Sequence, residues 1–279
     1  MPAEQSDPAN PQAGQPASAE SVRTCRLPVS LPAESEAARF SKYAIVGYYV
    51  PNCDDYFVQH VAILSESSRL DGVSETSVFH MGPPPVAGAR TALLPKARKT
   101  ITPQLVGDLV LTNDECEAVA DWLARVDSDC VASSVPVLQY YTIRPHMVTS
   151  NSEEDRRRPP RFSCSGFVIE AYRDAEIELL DIESIPEVSE ECLRPAYEFF
   201  FKLEKAKPTT QQELGFKGRE DLGIDDSGQW DVVLPGYLFH STARATDENP
   251  RQLSPFVPNV EHRCFPCTEV TVDQPGDTR

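Results

Sequence analysis

Residues Pro159 to Asp181 read PPRFSCSGFVIEAYRDAEIELLD. The prolines end, a cysteine stands between two serines, and an apolar helical pattern starts at once, with Phe167, Val168, Ala171 and Tyr172 at inward-facing spacing. A cysteine in the first turn of a helix faces unpaired backbone N–H groups and the positive end of the helix dipole, and both favour thiolate over thiol. A small apolar residue closing a core satisfies the same pattern, so the neighbouring segments have to decide.

Upstream, KYAIVGYYVPNCDDYFVQHVAILSES offers two β-rich runs, Tyr43 to Val50 and Tyr56 to Leu64, separated by a Pro-Asn turn signal. TSVFHMG gives a third run after a polar loop that contains the hairpin dipeptide Asp71-Gly72, so the segment reads as an antiparallel meander. Leu105 to Leu111 is a further strand candidate. Asn113 or Asp114 can cap a helix whose Val119, Trp122, Leu123 and Val126 share one face. VPVLQYYTI is another strand candidate, and SNSEEDRRRPP is a polar loop in which Arg156, Arg157 and Arg158 beside Glu153, Glu154 and Asp155 form a solvated charge run. Downstream, ECLRPAYEFFFKLEKA has helical and aromatic content, QWDVVLPGYLFHSTA has strand content, and the Pro-rich end has little periodicity.

Composition narrows the function classes. The 279 residues are 40% hydrophobic and include 25 prolines, enough apolar chain for one substantial core beside much irregular chain. Of the formal charge of −17, residues 1–36 carry only −3 (Glu4, Asp7, Glu20, Glu34 and Glu36 against Arg23 and Arg26). An acidic body argues against a nucleic-acid or anionic-membrane surface. No run reaches the roughly 18 apolar residues of a membrane span, and the N-terminus lacks the features of a signal peptide. The expectation is a soluble cytoplasmic protein with no nucleic-acid partner and no integral membrane segment. Residues 1–36 are rich in Pro, Ala and Ser and read as a disordered tail. The eight cysteines, scattered along the chain, read as mostly free thiols.

A thiol nucleophile needs a base within hydrogen-bond reach and a third group to orient that base. His60 begins HVAIL on a strand candidate, a rigid platform for a base, and His80 ends the next one in VFHMG. If the two strands pair, the rings lie side by side, one as base and the other as orienter. A half-buried, hydrogen-bonded strand histidine is the plain alternative for each.

FSCSGFVIEAY resembles the nucleophile helix of the NlpC-type branch of the papain-like cysteine peptidases, and the CSGFV run is its most specific element. The histidine strand precedes the cysteine here. That order is similar to the circularly permuted members, the YiiX/YaeF-like amidases and the lecithin retinol acyltransferase-like enzymes. The resemblance covers roughly Tyr43 to Asp181. It implies an α+β, circularly permuted papain-like fold with an antiparallel sheet packed against the nucleophile-bearing helix. It also implies a cysteine hydrolase or thiol acyltransferase in which Cys164 is the nucleophile, His60 the general base and then acid, and His80 the orienting group. The Cys164 backbone N–H would be one oxyanion donor. The substrate would be a small-molecule, lipid or peptide amide or ester, with no cofactor and no metal. Residues 37–192 would form the catalytic domain and 193–279 an extension packed on it, Pro-rich and partly irregular at its end. Two departures stand out. Ser163 occupies the place of an Asp that, in peptidoglycan-cleaving relatives, helps hold the substrate's free amine, and a Ser-rich insertion widens the His60–His80 spacing relative to the acyltransferase relatives.

Other residues compete for these roles. HRCFPC, His262 to Cys267, offers soft ligands at half-zinc-site spacing, but no second CxxC completes it, so ordinary thiols are expected. His240 is the histidine that would serve an unpermuted order, yet STARATDENP rather than an apolar strand follows it. His146, beside Pro145, offers nothing specific. The alternative function is a catalytically inactive papain-like interaction module whose Pro-rich ends bind partners; a buried, unreactive Cys164 would favour it.

Overall fold

The computed structural model describes residues 39–52, 55–65, 68–69, 76–82, 99–101, 105–107, 109, 111–132, 140–149, 160–243 and 254–266. The tail, the Asp71-Gly72 dipeptide, the charged run 151–158 and Cys267 lie outside these residues.

Alternating and β-branched residues build an antiparallel sheet around two long strands. β1 (Arg39–Phe40), β2 (Ile45–Asn52), β3 (Asp55–Leu64), β4 (Ser68–Arg69), β5 (Thr76–Phe79), β6 (Lys99–Ile101) and β7 (Leu105–Gly107) come first in the chain. Six described strands then form one sheet in the order β6-β5-β3-β2-β7, with β12 (Cys264–Pro266) also paired to β3. Ile45 faces Ile63 across β2 and β3, and Leu64 faces Val78 across β3 and β5. The meander is therefore present, although β2 runs through Pro51 and Asn52. β1 pairs with β4 in a separate two-stranded ribbon.

The period of two sorts apolar residues to two faces. Tyr43, Ile45, Val61 and Ile63 join the large core that also holds the helices, whereas Ala44, Val46, Ala62, Leu64 and Val78 form a second cluster. Both faces of the central strands are buried. Pairing shifts between Tyr48↔His60 and Tyr49↔Val58, which leaves Gln59 without a partner. This β-bulge is why Val58 and Val61, three residues apart, serve the same core.

The helices are α1 (Asn113–Ala132), α2 (Cys164–Asp174), α3 (Glu190–Leu203), α4 (Pro208–Leu214) and α5 (Pro235–Ala243). α2, α3 and α5 pack on β3, and α1 packs on α2. The cap of α1 is Thr112, neither Asn113 nor Asp114: its hydroxyl accepts from the Glu115 N–H at 3.4 Å while Glu115 Oε2 accepts from the Thr112 N–H at 2.6 Å. This reciprocal pair is the Thr-x-x-Glu capping box. Trp122, Phe162 and Phe167 meet edge to face, with centroids 5.1–6.1 Å apart, and join α1 to α2.

Short strands complete the fold: β8 (Met147–Val148) with β9 (Arg161–Phe162), and β10 (Glu187–Ser189) with β11 (Gln229–Asp231). Two strand readings are corrected. Of VPVLQYYTI, the described part is irregular, with Tyr141 in an isolated bridge to Phe162. QWDVVLPGYLFHSTA keeps its strand content only at Gln229–Asp231 (β11), and most of it is the helix α5, begun by Pro235, whose fixed φ suits a first helical position. The boundary at 192 falls inside α3. Beyond it, Trp230, Leu234, Tyr237 and Phe239 belong to the same core as α2, and β12 belongs to the same sheet as β3. The fold is mixed α+β, and among the described residues no helix is long and apolar enough to cross a membrane.

Candidate active site

Ser163 starts α2. Its extended backbone and its Oγ, which accepts the Gly166 N–H at 2.9 Å, make it the N-cap and set Cys164 as the first helical residue. The preceding turn leans on the loop 140–146, since the Ser163 N–H donates to the His146 carbonyl at 2.9 Å. A Cβ at Gly166 would fall 2.0 Å from that same oxygen, so the glycine of CSGFV permits the loop to cross the helix start.

That loop delivers Tyr141, which the strand reading of its segment overlooked. Its ring is buried and lies 4.7 Å from Phe200, and its hydroxyl faces both the Cys164 thiol and the Cys164 backbone N–H. Burial and the neighbouring Cys164 and Tyr197 hold the Tyr141 phenol well above its usual range, so it remains a proton donor. Only tertiary structure puts it there; no local pattern in QYYTI marks it.

Cys164 is 1% exposed. Burial pushes its thiol up, while the neighbouring Tyr141 hydroxyl and the Val61 and Ser165 backbone N–H groups pull the other way. The helix start was expected to favour thiolate; withdrawal from water outweighs it, and the resting group is a neutral thiol. The contact with Val61 fixes where the sulfur sits. One edge of β3 is taken by β2 along its whole length, and the other carries β5 at Ile63 and Leu64 and β12 at Asp55 to Phe57. Between β5 and β12 no described strand pairs with that edge, and there the sulfur faces the Val61 N–H.

His60 precedes Val61. Past the bulge it leaves the strand on the side of Ala62 and Leu64, and its Nε2 lies 3.2 Å from Nδ1 of His80, with the rings edge to face at 84°. Gly82 closes over the pair: a Cβ there would come within 3.1 Å of His80 and 3.5 Å of His60. The structure thus brings His60 and His80 together, and brings Cys164 to the backbone of Val61, the residue after His60.

The competing histidines have other partners. His240 lies on α5 with Nε2 2.9 Å from the Cys264 carbonyl, which ties α5 to β12. His262 Nδ1 accepts the Asn259 N–H at 2.9 Å in a capping box, so half of its ligand capacity is spent inside HRCFPC. Among the described residues no cluster of three or more His, Cys, Asp or Glu is placed to hold a metal ion. His146 is more engaged than its sequence suggested: Nε2 lies 3.2 Å from Oε1 of the buried Glu170, which Arg173 also binds at 2.5 Å. This pair staples the Tyr141 loop to the far side of α2.

No protein-family model, curated protein or solved structure matches the chain.

Proposed function

We propose that the protein is a thiol-dependent amidase or acyltransferase with a circularly permuted papain-like catalytic fold, working through an acyl-enzyme on Cys164. The observation that carries this reading is the meeting, at a stretch of β3 edge that no described strand pairs, of a helix-start cysteine with the residue beside a paired histidine.

In this reading Nε2 of His60 donates to His80 Nδ1, and Nδ1 of His60 acts as the proton acceptor. It takes the thiol proton as the sulfur attacks the substrate carbonyl carbon. The carbonyl π electrons move to oxygen, and that oxyanion is held by the Cys164 N–H and the Tyr141 hydroxyl, groups that are in place before reaction. Collapse breaks the bond to the amine or alcohol, which leaves with the proton from His60. Water or a second acceptor, deprotonated by His60, then attacks the thioester and returns the thiol. Because burial keeps the resting thiol neutral, the base must act during attack rather than hold a standing ion pair.

Ser163 bears on the substrate. It is fully buried, caps α2 and neighbours the Tyr197 hydroxyl, so no carboxylate stands there to pair with an ammonium. An unpaired buried amine is costly. Blocked amides, lipid-type acyl esters and isopeptides are therefore favoured over peptides with free N-termini.

One observation favours a second reading: a cysteine that is 1% exposed, with its thiol pushed up by burial, also suits an inactive interaction module. Intact-mass spectrometry after exposure to a p-nitrophenyl acyl ester separates the two. The catalytic reading expects one acyl adduct, mapped to Cys164 and absent from Cys164→Ser. No adduct on the wild type, at any chain length of the ester, would leave the module reading.

A further inference from the structure

The bulge in β3 places Gln59 immediately before the proposed base. Its half-buried side chain reaches out of the sheet, with Nε2 donating to the Pro195 carbonyl of α3 at 3.2 Å. α3 is irregular at this point. Pro195 lies inside the helix, and Tyr197 two residues on has non-helical angles of φ −123° and ψ 25°. A proline removes one rung of the helical ladder and the break disturbs the next, so the Pro195 carbonyl is turned to an acceptor role outside its own helix. The same break presents Tyr197 to the start of α2. Its buried hydroxyl donates to the Val233 carbonyl at 3.4 Å and neighbours the Ser163 side chain. A continuous path therefore runs from Gln59 through Pro195 and Tyr197 to Ser163, the cap that sets Cys164.

From this path we infer that Gln59 is a positioning residue that holds the bulged base strand in register with the nucleophile helix, an inference that rests on the acyl-transfer reading. A bulge frees a residue from cross-strand pairing and lets the strand slide or twist locally. Tying the bulged side chain to α3 removes that freedom one residue from His60. Small misplacements between a base and its nucleophile reduce the rate steeply. Gln59 touches neither the thiol nor the substrate; it acts through the backbone of His60.

Gln59→Met keeps length and removes the donor, while Gln59→Lys keeps a donor. Full-length variants are alkylated with iodoacetamide, and labelling of Cys164 and Cys192 is read by peptide mass at about pH 6, where the thiol needs its base, and about pH 9, where it ionises more freely. Gln59→Met is expected to slow Cys164 labelling about tenfold at the lower pH and less than about twofold at the higher, with Gln59→Lys within about threefold of wild type. A purely structural role moves both pH values together, and that result overturns the inference. Should Gln59→Met fail to fold, Gln59→Asn, too short to reach Pro195, carries the same expectation. If wild-type Cys164 outpaces Cys192 at the lower pH and Gln59→Met does too, the Gln59 role fails alone. If wild-type Cys164 shows no such advantage, the acyl-transfer reading fails and takes this role with it.

Discussion

Tyr141→Phe removes one oxygen atom and little else. The ring stays buried, its 4.7 Å contact with Phe200 survives, and the backbone bridge to Phe162 is untouched. What is lost is a hydroxyl facing both the sulfur and the backbone N–H of Cys164. A hydrogen bond to a charged group contributes about 1.5–3 kcal/mol. At about 1.4 kcal/mol per factor of ten, thiolate-dependent alkylation should slow roughly ten- to hundredfold near neutral pH. Acylation creates an oxyanion as well, and losing one oxyanion donor costs about 10²–10³ in rate. Acylation should therefore fall by at least about tenfold more than alkylation. p-Nitrophenol release gives the first rate, and iodoacetamide labelling of Cys164 resolved by peptide mass gives the second. A thermal melt within a few degrees of wild type, the usual effect of a change below about 1 kcal/mol, would show that the fold is intact. Equal losses in both rates would assign Tyr141 to the thiol alone. Losses below about threefold in both would refute the argument that its hydroxyl serves the reaction.

Three further outcomes follow from named contacts. His60→Ala should reduce acyl-enzyme formation by about 10²–10⁴, whereas His240→Ala, which loses a tie to the Cys264 carbonyl and ring contacts with Phe256 and His262, should retain most of it; the reverse order would restore an unpermuted arrangement. Trp122→Ala should cost about 3–5 kcal/mol in urea unfolding because it empties the seam between α1 and α2, and a cost under about 1 kcal/mol would mean that the aromatic triad is not structural. Burial holds both His240 and His262 below the ordinary histidine range, so the unfolded chain binds their protons first. Their stabilising contribution is present above about pH 6.5 and is lost as pH falls through their folded values. The melting temperature should drop on acidification in that window, with a shallower slope in His240→Gln. The contribution of Glu190, held low by Arg219, is lost separately, below about pH 4.5.

What was legible in the sequence was local and periodic. α2 announced itself because Phe167, Val168, Ala171 and Tyr172 repeat at helical spacing, and β3 because Tyr56 to Leu64 is dense in β-branched and aromatic residues. The errors have identifiable causes. α5 was hidden because LPGYLF is as aromatic as a strand, and only Pro235 hinted at a helix start. Thr112 and Glu115 carried a capping signal that Asn113 and Asp114, themselves strong N-cap residues, masked. The bulge had a trace too: Val58 and Val61 cannot share a face in a regular strand, yet both are core. Tyr141 and β12 left none, because their partners lie far along the chain, and spacing carries no information about contacts closed by tertiary packing.

Around Cys164, the Tyr141 hydroxyl and the Val61 and Ser165 backbone N–H groups face a sulfur that burial keeps uncharged at rest. A thiol is a weak acceptor, so donors gathered around it contribute little to the folded protein, whereas the same donors stabilise an anion strongly in surroundings without water. Their value is thus greatest when charge appears on the sulfur or on an oxygen bonded beside it. Interactions stronger in the transition state than in the ground state are the ones that accelerate a reaction. A module selected only for binding would be served as well by an apolar residue at 164, since a thiol accepts so weakly that its donors lose little when it is removed. Cys164→Ala tests this directly. The catalytic reading expects it to melt within a few degrees of wild type while losing all acyl-adduct formation, because the donor set acts on a charge that the resting protein does not hold. A melting temperature lowered by more than about 8 °C, with no adduct on the wild type, would instead make the thiol a structural residue.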